Sequence, residues 1–135
     1  MISITVKTYR AIEDHHQCEL FMKGHKEVLE IFGISEITSA TNEWFLNPNS
    51  FVVVAINDKT KSIVGGARIH IVGGTQPLPI EEAVGEMDSG IYEMVIEHGK
   101  KGSGELCGLW NSREVAGLGV SVILTRAAVS IAIKL

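Results

Sequence analysis

Cysteine is almost missing from this sequence: Cys18 and Cys107 are the only two in 135 residues. They lie far apart and in no C-x-x-C spacing, which excludes a disulfide framework and a zinc knuckle and fits a reducing, cytoplasmic setting. An excess of charge of one sign is missing too. Twelve Lys and Arg stand against 16 Asp and Glu, a formal charge of -4, which argues against a nucleic-acid partner, whose phosphates call for a basic surface. At the N-terminus there is no basic start followed by an apolar run; Ile2, Ile4 and Val6 alternate with polar residues and read as a strand, not a signal peptide. The one long apolar run, residues 117–135, is interrupted by Arg126. A mid-helix arginine costs about 2.5 to 3.5 kcal/mol to insert, so the run reads as a buried helix and no membrane partner is expected. No G-x-x-x-x-G-K-S/T, H-E-x-x-H or G-x-S-x-G occurs, which removes the P-loop, zincin and esterase-elbow readings. His15, His16 and Glu19 share one helix without ligand spacing, so no metal site is expected.

What is present is a core. Hydrophobic residues make up 45% and charged residues 21%, and a chain of this size buries roughly two thirds of its unfolded surface. Residues 1–135 therefore read as a single domain. After the first strand, Glu13 and Asp14 open a helix in which Cys18, Phe21, Met22, His25, Val28, Leu29 and Phe32 recur at helical spacing, ending at Gly33. A short helix is expected over residues 40–45, stopped by Asn47, Pro48, Asn49 and Ser50. The continuous apolar run of residues 51–56 reads as a strand buried on both faces, and a turn at residues 57–60 returns it as a second strand over residues 63–72, a hairpin. His70, alternating with Ile69 and Ile71, faces either solvent or an acceptor pocket. Residues 73–104 have no clear period and read as an insertion over the core, with short helices at residues 80–84 and 91–97. Residues 105–110 form another buried strand. The final helix is apolar on nearly all sides, so burial on more than one face is expected. Trp44 and Trp110 read as core anchors.

The strand, glycine loop and helix from Glu105 onward carry the most chemical information. Backbone N–H groups of Ala116, Gly117, Leu118, Gly119 and Val120 would point outward at a helix N-terminus, where the macrodipole favours an anion. A phosphate-bearing ligand fits that arrangement, and a bare tight turn fits it equally well. A Rossmann G-x-G-x-x-G would need glycine at Val122, so a dinucleotide is not indicated.

The run Glu105-Leu106-Cys107-Gly108-Leu109-Trp110, followed by Gly117-Leu118-Gly119 and Leu124-Thr125-Arg126-Ala127-Ala128, resembles the central motif of the GNAT superfamily of acyl-CoA-dependent N-acyltransferases. The upstream hairpin, with Asp58 in its turn and Ile63-Val64-Gly65-Gly66-Ala67-Arg68 after it, is similar to the family's approach to that motif. The resemblance implies an α+β fold with a mainly antiparallel central sheet flanked by helices, covering the first two thirds of that domain. It implies transfer of an acetyl or other acyl group from acyl-CoA, with acetyl-CoA as co-substrate, to a primary amine on a small molecule or peptide. The strand at residues 105–110 would splay at a bulge and pair with the pantetheine arm. Leu109 and Trp110 would flank the thioester, whose carbonyl a backbone N–H polarises. Ala116, Gly117, Leu118, Gly119 and Val120 would cradle the pyrophosphate, with Arg113 beside them. Glu105 and Glu93 are the carboxylates placed to take the amine's proton, against the plainer reading of Glu105 as a solvated or ion-paired strand residue.

Two departures from the family pattern stand out. Glu114 occupies the place where Arg or Gln is expected, with Arg113 one position early. The closing strands, and the helix often bearing the Tyr that protonates the leaving thiolate, would follow Leu135. The domain therefore reads as truncated, or as completed by a second copy in a homodimer. The alternative is a non-catalytic CoA-binding or protein-interaction module.

Overall fold

In a computed structural model of the chain, residues 2–35 and 42–135 are described. The elements run β1 (Ile4–Arg10), α1 (His15–Ile31), β2 (Ser50–Asn57), β3 (Ile63–Ile71), α2 (Pro79–Val84), α3 (Gly90–Gly99), β4 (Gly104–Asn111) and α4 (Val120–Ala132). Single 3-10 turns lie at Ala11–Glu13, Glu43–Leu46 and Arg113–Val115. The strands form one antiparallel sheet in the order β1-β2-β3-β4, with α1 packed on one face and α4 on the other. The architecture is α+β.

Local chemistry explains these boundaries. The Asp14 carboxylate accepts the Gln17 N–H at 3.2 Å and caps α1. Gly33, at φ +76°, ends it, with the Gly33 and Ile34 N–H groups donating to the Glu30 and Leu29 carbonyls at 3.0 Å. In β2 the period-2 geometry divides the apolar run: Val52 and Val54 pack toward α1, and Phe51, Val53 and Ala55 toward α4. Asn57 Oδ1 accepts from the Lys59 and Thr60 N–H groups at 3.0 and 3.3 Å and closes the hairpin to β3.

Four expectations need correction. The strand expected to be buried at residues 105–110 is β4, at the edge of the sheet, with Trp110 alone buried. The α4 helix is buried on one face only: Val120, Leu124 and Ala128, four residues apart, meet the sheet, whereas Val122, Ile123, Val129 and Ile133 are exposed. One helix face is all that a single flat sheet can cover, and no other described element lies over the rest. The segment between β3 and β4 adds only Leu78 to the buried apolar core. Neither α2 nor α3 buries a residue; the segment is tied to the end of the sheet by Asn49 Nδ2 donating to the Val72 carbonyl at 3.0 Å and by the Gln76 side chain donating to the Glu43 carbonyl at 2.8 Å. The helix expected at residues 40–45 is a 3-10 turn, Glu43–Leu46, over its described part; residues 40 and 41 lie outside the described residues.

Candidate functional site

The site grows out of a break in the pairing of β4 with β3. Gly66 pairs with Trp110 and Arg68 with Cys107, so Gly108 and Leu109 together face Ala67. This is a bulge, and Gly108 makes it possible at φ +62°, a conformation that costs an ordinary residue about 1 to 2 kcal/mol. The extra residue resets the alternation. Glu105 and Cys107 stand opposite His70 and Arg68 on the α1 side, and beyond the bulge Trp110 returns to that same side, where its indole packs with Phe21. Leu109 is left half exposed on β4, whose outer edge pairs with no described strand.

From that edge the chain passes directly into the loop before α4. Val115 is buried and anchors it, while Ala116, Gly117, Leu118 and Gly119 are all exposed. Gly117 and Gly119 have φ of +78° and +77°, and a Cβ on either would meet nothing within 4 Å. The glycines thus serve the backbone turn and leave open space in front of it. The Ala116 and Leu118 N–H groups are used within the loop, donating to the Arg113 and Val115 carbonyls at 3.1 and 3.2 Å. The free donors are displaced toward the helix from the positions expected: the N–H groups of Gly117, Gly119, Val120, Ser121 and Val122 meet no acceptor among the described residues. They form the positive end of a 13-residue helix. Arg113 and Glu114 are both exposed beside them, Glu114 taking a long 3.5 Å hydrogen bond from Ser112 Oγ.

Behind the bulge, between α1 and the sheet, lies a polar group inside the apolar layer. Arg68 is 5% exposed and His70 3%. The Arg68 guanidinium stacks 4.8 Å from the Trp44 ring centre, and its Nε lies 3.1 Å from where a Cβ on Gly108 would be. His70 Nδ1 is 3.2 Å from Ser50 Oγ; burial, reinforced by the Arg68 charge, pushes the imidazole pKa down to about 4. His25 on α1 is shifted down for the same two reasons. Glu105, half buried, accepts the Ile80 N–H at 2.9 Å, and its carboxyl is held above the usual range by burial, with the Ile80 hydrogen bond and Arg68 opposing.

Of the carboxylates singled out in the sequence, Glu105 is therefore positioned and desolvated, and Glu93 is not. Glu93 is exposed on α3, without a hydrogen bond or ion pair to any described residue. Trp110 contributes backbone to the strand edge, but its side chain is buried on the α1 side. Arg68 is a site residue that no local motif singles out. Its signal was a lone cation in the strand Gly65-Gly66-Ala67-Arg68-Ile69, facing the same side as His70 two residues on. A cleft of about 580 Å³ lies at the opposite end of β4, lined by Gly104, Leu106, Ala128, Val129 and Ile133 among others, and shares no residue with the glycine loop. Among the described residues no cluster of three His, Cys, Asp or Glu could hold a metal, and no helix is long and apolar enough to cross a membrane. Comparison with family models, with curated proteins and with solved structures finds no match to this chain.

Proposed function

We propose that this chain is an acyl-CoA-dependent N-acyltransferase with a GNAT-like fold, acting on a primary amine in a reducing cytoplasm. The observation that carries the reading is the continuity of a glycine-bulged edge strand with an open loop of unpaired N–H groups at a helix N-terminus. The spacing suits a ligand with an extended amide-bearing arm and a pyrophosphate. The arm pairs with the free edge of β4 as an added strand, and the pyrophosphate takes the N–H groups of Gly117, Gly119 and Val120.

The chemistry then falls at the bulge. The amine nitrogen attacks the thioester carbonyl carbon, a C–N bond forms, the C–S bond breaks, and CoA leaves as the thiolate that takes up a proton. A backbone N–H at the bulge stabilises the developing oxyanion. The ammonium proton passes through water to Glu105, whose desolvated carboxylate is a better base than an exposed one.

Calorimetric titration of acetyl-CoA into the purified chain tests this. Micromolar binding, lost in Gly117→Val with the far-UV circular dichroism retained, supports the reading. Unchanged affinity in that variant overturns the loop assignment. One observation favours a second reading, a non-catalytic module: Glu114 sets a carboxylate beside the loop where a pyrophosphate would lie, and like charges repel. Absence of binding at millimolar acetyl-CoA by folded protein selects it.

A further inference from the structure

The layer between α1 and the sheet holds an imbalance of hydrogen-bonding groups. Arg68 Nε, His70 Nε2, Trp44 Nε1 and Trp110 Nε1 are all buried, and none has a hydrogen-bond partner among the described residues; the one other such atom, Gln17 Oε1 on α1, is an acceptor. Of the four, three are obligate donors, and the fourth is a donor whenever His70 Nδ1 accepts from Ser50. Buried polar atoms are almost always satisfied, so an excess of four donors over one acceptor needs an explanation. Their mutual placement is tight. Trp44 lies 4.8 Å from the Arg68 guanidinium carbon and 6.2 Å, ring to ring, from His70.

The charge is uncompensated as well. A guanidinium stays charged in proteins, and a buried charge is ordinarily paired. Cys107 stands opposite Arg68 on the neighbouring strand, yet no carboxylate lies within ion-pairing distance of Arg68 among the described residues. The charged and titratable groups facing Arg68 are Glu105 and Cys107 from β4, His70 from its own strand, and His25 and Cys18 from α1. Glu105 is engaged with the Ile80 N–H. Among the described residues, the layer lacks an acceptor bearing negative charge that is free to pair with Arg68.

We propose that Arg68, with Trp44 and His70, binds an anionic group, carboxylate or phosphate, on the amine-bearing acceptor. The inference rests on the acyltransfer reading for the word acceptor; the anion site itself stands on the buried donors. The position fits: Arg68 sits directly behind the Gly108 bulge, so an acceptor anchored there by its anion presents its amine toward the bulge, with Glu105 on the same side of β4. A planar guanidinium backed by an aromatic face suits bidentate recognition of a carboxylate or phosphate.

The test uses the two tryptophans of the chain as reporters. Their indole N–H resonances are followed in the 135-residue chain during titration with 4-aminobutyrate against butylamine, and with phosphoethanolamine against ethanolamine. The anionic member of at least one pair shifts the Trp44 indole signal and binds at least tenfold more tightly than its neutral match; which pair responds tells carboxylate from phosphate. Arg68→Gln abolishes that preference and leaves acetyl-CoA affinity within twofold, whereas Gly119→Val does the reverse, so loss of the CoA site and loss of the anion site are read separately. Equal binding of anionic and neutral amines by the wild-type chain overturns the proposal without reliance on any variant, as does an anion preference that survives in Arg68→Gln.

Discussion

The Trp110 indole occupies the space in which a Cβ on Gly24 would stand. This places α1 against the far end of β4 with nothing but backbone between ring and helix, and it is possible because the Gly108–Leu109 bulge turns Trp110 inward. Alanine at position 24 gains about 1 kcal/mol of helix propensity over glycine. Over-packing against a rigid ring costs about 1 to 3 kcal/mol, and the ring has little room to retreat, because Phe21 lies edge-on to it and its Nε1 lies 3.2 Å from the Cβ position of Gly66. Gly24→Ala therefore lowers the urea midpoint. An unchanged or raised midpoint contradicts this packing.

Arg68→Met is expected to make the ligand-free protein more stable. The substitution removes a stack on Trp44 worth about 2 kcal/mol when desolvated. It also removes a buried charge without a carboxylate partner among the described residues, and burying such a charge costs several kcal/mol. The second effect is the larger, so the thermal midpoint rises. A fall of several degrees would show Arg68 to be structural.

His70 sets a pH dependence. Its pKa of about 4 in the fold lies below the ordinary 6.5, so the unfolded chain takes up the proton first. The associated stability is complete above pH 6.5 and declines as the pH falls toward about 4, by about 3 kcal/mol in all. His25, lowered by burial, acts in the same direction. Glu105 acts against it, because a carboxyl raised by burial adds stability as the pH falls through its folded range. Denaturation midpoints measured from pH 7.5 to 4.5 should drop, and His70→Gln should flatten the curve. Parallel curves for the two proteins would contradict the assignment.

The cysteines are expected to be quiet. Burial, followed by the charges of Asp14 and Glu19, pushes the Cys18 thiol up to about 12, and burial raises Cys107 as well. The thiolate is the reactive form, so at pH 8 a disulfide reagent labels the native protein slowly and both thiols rapidly once denaturant is added. Rapid labelling of native Cys18 would contradict its placement on the buried face of α1.

The elements that could be read from the sequence are those whose signals are local. Asp14 three residues before Gln17, Gly33 after the last apolar turn, and the unbroken run from Phe51 to Ile56 each specify their own backbone. The bulge could not be read this way, because Gly108 becomes special only through its register against Ala67, a contact across more than 40 positions of sequence. The same holds for the free donors. Gly117 and Gly119 mark a loop, but it takes the fold to show that the Ala116 and Leu118 N–H groups are spent inside it. Arg68 and His70 show the limit most clearly. Alternation with Ile69 and Ile71 in a strand ordinarily sends polar residues to water, and only the position of α1 over β3 makes theirs a buried face. The reverse holds in α4, where Val122 and Ile133 are apolar yet exposed: composition tells what a helix could bury, not what the fold supplies to cover it.

The most direct measurement is a titration of the ¹⁵N-labelled chain with CoA, followed residue by residue in amide correlation spectra. The account predicts that the largest shifts fall on the amides of Gly117, Gly119, Val120 and Ser121, with a second group at Gly108 and Leu109 along the free edge of β4. Shifts confined to the cleft between Leu106 and Ile133, or no shifts at millimolar CoA, would contradict it.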